Sequence, residues 1–328
     1  MPVPIVDRKY SAHKLMISSP PVWSPIKQLV FDITAPSGTK HLGELHFKRW
    51  FVDDLPDATP YDTHLQVISR ESVYDYIQPS PDENIMAWHV NFADPDLFVA
   101  YGSELMAQDE IQAAEHPVLG ALREALLEDS YPSITRTVEA GEPSPITIAN
   151  VERRAIVMTD INADEGRPHG LYGNQFSDAT PDVIRNAVIP LDPTTMTNLV
   201  AIAAPYGGFK TYTENEIENI LRTAYTGFAA ARSETLRLAG SDSRVRIHSG
   251  FWGCGAFGGN RLMMIMLQIF AAKLAEIDSL VIHTVDRTGT DSFDTANDLI
   301  LGHLDESSEV FMNWIRSLEL QWGQSDGN

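Results

Sequence analysis

Residues 246–276, RIHSGFWGCGAFGGNRLMMIMLQIFAAKLAE, constrain the fold more than any other stretch of the chain. A strand-patterned run ends near Gly250, four glycines fall at Gly253, Gly255, Gly258 and Gly259, and a helical pattern begins near Asn260. Glycines permit positive φ and let backbone N–H groups approach a ligand closely. A helix N-terminus behind such a turn offers unpaired donors and partial positive charge, which suits a phosphate. A plain strand-to-helix turn needs fewer glycines than these four.

The rest of the chain fits an α/β domain with helices on both faces of a sheet. Met86, Trp88, Val90 and Phe92 alternate with polar or small residues, the two-residue period of a strand. Apolar runs at 154–159, 199–204, 245–249 and 280–285 read as buried strands. Helices are expected over 103–116, stopping at Pro117, over 213–239 and over 260–277. Strand-like pieces at 28–33 and 41–52 suggest an N-terminal accessory layer over 1–60, ahead of a main domain at 61–305 and a C-terminal helix and tail at 306–328. The Gly-, Pro-, Asp- and Asn-rich stretch 129–190 is expected to form loops over a cleft.

Charge narrows the function. The 24 Lys and Arg face 45 Asp and Glu, a net charge of −21, which argues against DNA or RNA wrapping and against a polybasic membrane anchor. A small anion can still be received by backbone amides. One cysteine, Cys254, rules out an internal disulfide framework and a multi-Cys zinc site. None of the ten histidines pairs at metal-ligand spacing; His89 and His248 are expected to be structural, and neither metal nor cofactor is assigned. The start carries no signal-peptide pattern and no stretch is long and apolar enough to span a membrane, so a cytoplasmic protein is expected.

Three functional readings compete for the glycine loop. Gly253-x-Gly255-x-x-Gly258 fits the dinucleotide fingerprint, yet Asp286 lies beyond the usual offset of roughly 20 residues and too little chain follows for a doubly wound sheet. A cysteine-phosphatase loop would need five residues between Cys254 and Arg261, and six are present. The third reading is a resemblance: GFWGCGAFGGNRL is similar to the glycine-rich signature of the poly(ADP-ribose) glycohydrolase family, commonly NWGCGAFGGD. Phe251 and Asn260 depart from it, standing where the family has Asn and Asp. Gln268 and the Ala224–Phe228 stretch resemble the family less specifically.

Upstream, NFADPDLFVAYGSELMAQDEI resembles the family's strand, glycine loop and Gln-Glu-Glu triplet, with Gln108-Asp109-Glu110 as the triplet. Its triple glycine falls on Ala100-Tyr101-Gly102 in one register and on Phe98-Val99-Ala100 in the other, so it is largely lost. Acidic residues at a helix start also have a plain role, complementing the helix dipole for roughly 0.3–1 kcal/mol each.

The resemblance implies a macrodomain-like mixed β-sheet with an N-terminal extension. It further implies an ADP-ribosyl glycohydrolase that removes ADP-ribose from modified macromolecules; the altered loop around Ala100-Tyr101-Gly102 and the net charge of −21 add the expectation of a single unit over a long polymer. In that reading Glu110 is the catalytic acid and base, with Asp109 and Asp94 on ribose hydroxyls and Gln108 supporting the triplet. Gly253, Cys254, Gly255, Ala256, Phe257 and Gly258 would hold the diphosphate and adjoining ribose. Ile77 and Gln78 would meet adenine, Tyr172 would cap the distal ribose, and Tyr101 would narrow the site or stack on substrate. The expected partner is ADP-ribose or an ADP-ribosylated protein, with no DNA and no membrane. The alternative is a module that binds ADP-ribose without cutting it.

A helix N-terminus lowers a carboxylate pKa, whereas burial, Asp109 and substrate phosphates raise it. Substrate binding is therefore expected to protonate Glu110.

Overall fold

A computed structural model describes residues 3–51, 54–57, 59–60 and 64–327. The expected domain boundary near residue 61 lies outside the described residues.

The elements run β1 (Pro4–Ser11), α1 (Ala12–Ser18), α2 (Pro25–Thr34), β2 (Glu44–Trp50), β3 (Gln66–Arg70) and β4 (Ile85–Phe92). Then come α3 (Gln108–Glu115), α4 (Val118–Leu127), β5 (Val138–Glu139), β6 (Glu142–Pro143), β7 (Ile146–Val157), α5 (Pro181–Ala187) and β8 (Val188–Ile202). The chain continues with α6 (Glu214–Ala239), β9 (Arg244–Ser249), α7 (Arg261–Leu274), β10 (Ser279–His283), α8 (Arg287–Ile300) and α9 (Ser308–Ser317).

Eight strands form one mixed sheet in the order β1-β2-β7-β8-β4-β9-β10-β3. β8, β4, β9, β10 and β3 pair in parallel, while β1, β2, β7 and β8 pair antiparallel. β1 and β2 thus extend the main sheet instead of lying on it. Alternation along β8 feeds two cores. Val200 and Ile202 pack with α6 and α7 on one face, and Leu199 and Ala201 pack with the α1 and α4 side on the other.

Residues 28–33 are helical, not a strand: Ser24 accepts from the Lys27 amide and Pro25 occupies the first turn of α2. The strand expected at 154–159 is the end of the longer β7, and the 129–190 stretch, expected to be loops, holds all of that strand together with β5, β6 and α5. α3 starts five residues later than expected, because 98–106 turn back on the strand end before the helix begins.

Candidate active site

The glycine loop sits at the carboxyl ends of the parallel strands, where α/β sheets bind ligands. Trp252 is fully buried and its Nε1 donates to the Ile202 carbonyl at 3.0 Å, tying the loop to the end of β8. Gly259 N donates to Gly253 O at 2.8 Å and closes the turn. Gly253 lies at φ +74 and Gly258 at φ +68, in the region that favours glycine. A Cβ on Gly253 would also stand 2.6 Å from the Ala204 methyl. Among the described residues the amides of Gly255, Ala256 and Phe257 make no hydrogen bond, so three donors remain for an anion. The first amides of α7 are already served, because Asn260 caps Leu262 and Met263. Asn260 does so as Asp would.

The second wall is the start of α3. Gln108 clamps it to β4: its Oε1 accepts from Phe92 N at 2.8 Å and its Nε2 donates to Val90 O at 3.1 Å. Gln108 therefore positions the triplet, and its amide is spent on backbone. Asp109 accepts from Asn91 Nδ2 at 2.8 Å, and the same amide group reaches Gln112. Glu110 accepts from Ala107 N at 3.1 Å. Both carboxylates are buried. Burial pushes Asp109 well above the usual carboxylate range, with Glu110 and Asp94 adding to it against the Asn91 hydrogen bond. Glu110 is also raised by burial, against the pull of Lys27 and two backbone amides.

Lys27 is the counter-charge that sequence reasoning missed. It is fully buried, donates to Leu105 O at 2.5 Å, and has its pKa lowered to about 8 by burial in spite of Glu110 and Asp109. The local signal was Ser24-Pro25, a helix start that would have placed Lys27 on a helix.

Tyr172 joins the two walls. Its loop bridges Met106 to Gly173, and its hydroxyl hydrogen-bonds with the Gln108 backbone. Burial, with Asp326 and Glu110 adding to it, pushes the phenol up to about 12. The residue remains 41% exposed although its hydroxyl is buried. Asp94 faces the same space, since its charge reaches both Asp109 and Glu110, and its Oδ1 accepts from Asp96 N at 2.9 Å. Phe257 meets Tyr206 edge-on at 5.1 Å. Tyr206 and Phe209, 79% and 81% exposed in the loop after β8, are a second group that sequence reasoning missed.

Several expected residues go elsewhere. Tyr101 is buried among Trp23, Pro21 and Gly120, and its hydroxyl donates to Glu124 and accepts from Val22 N. Its ring and hydroxyl are thus taken up by α1–α2 linker residues and α4. Phe98 takes φ +55 in the same turn, the conformation that a glycine of the second register would adopt without strain. Gln78 lines a cavity of about 320 Å³ with Ile85, Met86 and Met196, toward the amino end of β4, and Ile77 is exposed. Neither meets the glycine loop, because the β3-to-β4 connection has by then run back along the sheet. Cys254 stays in the glycine loop, where its Sγ donates to Trp252 O at 3.7 Å and burial pushes the thiol up to about 12.

The fold also brings together Asp75, His248 and His283, with one ligand atom from each within 4.8 Å of the others. Their sequence spacing hid this. Asp75 pairs with Arg70 at 2.7 Å, His283 Nδ1 contacts Val73 O at 3.0 Å, and His283 Nε2 contacts His248 Nδ1 at 3.0 Å. His248 Nε2 is buried and has no hydrogen-bond partner among the described residues.

Residues 169–292 match the family model of the poly(ADP-ribose) glycohydrolase with macro domain fold. That match spans 124 of the 328 residues, so this part of the chain is similar to the poly(ADP-ribose) glycohydrolase family. The match begins just before Tyr172 and includes the whole glycine loop. A poly(ADP-ribose) glycohydrolase from Thermomonospora curvata is 16% identical over 88% of this chain and 85% of its own, with a TM-score of 0.44. One from Deinococcus radiodurans, in complex with ADP-ribose, is 9% identical over 90% of this chain and 94% of its own, with a TM-score of 0.40. No curated protein matches the chain by sequence.

Proposed function

We propose that this chain hydrolyses the glycosidic bond between ADP-ribose and a modified macromolecule, and that it prefers a single ADP-ribose unit to a polymer. The observation that carries the reading is the pairing of two buried carboxylates, Asp109 and Glu110, with a loop whose amides at 255–257 are unused. Tyr172 touches the helix start that carries both carboxylates.

In this mechanism the loop amides take the pyrophosphate and Tyr172 lies against the distal ribose. Cleavage passes through an oxocarbenium-like state at the anomeric carbon. Glu110 gives its proton to the leaving oxygen as the C–O bond breaks. It then takes a proton from the water whose oxygen bonds to the anomeric carbon, so the carboxyl returns to its starting state. A carboxyl raised by burial is suited to the first step, and the negative pyrophosphate raises it further on binding. Asp109 and Asp94 hold ribose hydroxyls, and Lys27 offsets the negative charge left on Glu110 once it has given up its proton.

The preference for one unit rests on the net charge of −21, which repels a polyanion more than a single dinucleotide. Release of ADP-ribose from mono-modified protein and from polymer, measured side by side, tests it. Faster release from the mono-modified substrate is expected, and faster polymer breakdown would overturn the preference.

A further inference from the structure

The segment 320–327 runs back over the glycine loop. Its first part is well anchored: Tyr212 N donates to Leu320 O at 3.2 Å, Trp322 N to Lys210 O at 2.8 Å, and Asn260 Nδ2 to Gln321 O at 2.9 Å. The Trp322 ring stacks on Tyr212 at 4.2 Å. Beyond Trp322 the chain crosses the loop itself. Gly323 N donates to Gly258 O at 2.8 Å, Asp326 N lies 3.4 Å from Gly255 O, and Gly327 O accepts from Asn174 Nδ2 at 3.0 Å. The strand of chain therefore joins the glycine loop to the loop that carries Tyr172, the two sides between which a ligand would pass.

Asp326 is the part that bears on chemistry. A carboxylate oxygen stands 3.0 Å from where a Cβ on Gly255 would be, against the loop that is suited to a phosphate. Its charge is felt at Tyr172 together with that of Glu110. Residues 323–327 are exposed along their whole length, as is usual for a segment that opens at low free-energy cost. Trp322, by contrast, is half-buried and held by its stack on Tyr212 and its backbone bond to Lys210.

We propose that residues 323–327 are a displaceable strap that occupies the glycine loop through Gly323 and Asp326, and that must leave before a dinucleotide pyrophosphate can settle there. This rests on the functional reading above. The strap lowers affinity for ADP-ribose in proportion to the time it is closed, and the Asp326 charge disfavours an anion beside it.

The test is calorimetric titration of ADP-ribose into the full chain, the Asp326→Asn full chain and a chain ending at Trp322. A strap closed about 90% of the time weakens apparent affinity about tenfold, so the shortened chain is expected to bind about that much tighter. Asp326→Asn falls between the two and guards against misfolding of the shortened form. Equal or weaker binding in both variants overturns the strap while leaving the functional reading intact. Absence of binding in all three overturns the functional reading and the strap with it.

Discussion

Asp109 and Glu110 differ in what surrounds them, and that separates their behaviour. Asp109 meets Asn91 alone as a hydrogen-bond donor, whereas Glu110 receives two backbone amides and the stronger pull of Lys27. Asp109 thus carries the larger upward shift, and ionising it works against the fold. A carboxyl whose folded pKa exceeds its unfolded value contributes stability fully present below the unfolded pKa, about 3.9, and lost as pH rises through the folded value. Asp109→Asn removes that loss. Urea unfolding at several pH values is expected to show the variant gaining on the native chain as pH rises from about 4 toward about 8. A gain that does not change with pH, or that shrinks, contradicts the assignment. The triplet was legible in the sequence because its residue types and order are local. Lys27 was not, since its contact with Leu105 spans 78 positions, and the apolar run beside it mimics a strand.

At the scale of elements, the turn between β9 and α7 is determined by its own residues. Gly253 needs its positive φ, and a side chain there meets Ala204 at 2.6 Å and Met264 at 3.1 Å. Gly253→Ala is expected to cost about 1–3 kcal/mol from backbone strain alone. It should also weaken ADP-ribose binding, by tilting the amides of 255–257. Gly141, at φ +85 between β5 and β6 with nothing within 4 Å, gives the control. Gly141→Ala is expected to lower stability while leaving ADP-ribose affinity unchanged, as read by denaturant unfolding and calorimetry on both variants. Equal binding by the two would show that the loop does not hold the ligand. This element was legible because strand, glycines and helix follow one another within 31 residues, RIHS through KLAE. The α2 helix is the opposite case: its apolar run Gln28–Ile33 reads as a strand, and what makes it helical is the Ser24 cap with Pro25 in the first turn.

At the scale of the molecule, the sheet brings together pieces that the sequence keeps apart. β4 carries Asn91 into contact with α3, β8 anchors Trp252, and β9 delivers the glycine loop. Strand identity along the chain was largely readable from apolar runs. The order β1-β2-β7-β8-β4-β9-β10-β3 was not, because it depends on pairings between residues far apart in sequence. The same distance concealed the strap, whose Asp326 lies 71 positions beyond Gly255 along the chain (326 − 255). The central claim is that one site formed by this sheet binds ADP-ribose and that Glu110 cuts the bond. Its most direct test is release of ADP-ribose from mono-ADP-ribosylated protein by the native chain and by Glu110→Gln, with ADP-ribose affinity measured on both. Loss of general acid–base catalysis predicts a rate lower by about 10²–10⁴-fold with affinity kept within a few-fold. Equal rates in the two proteins, or no release by the native chain, would contradict it.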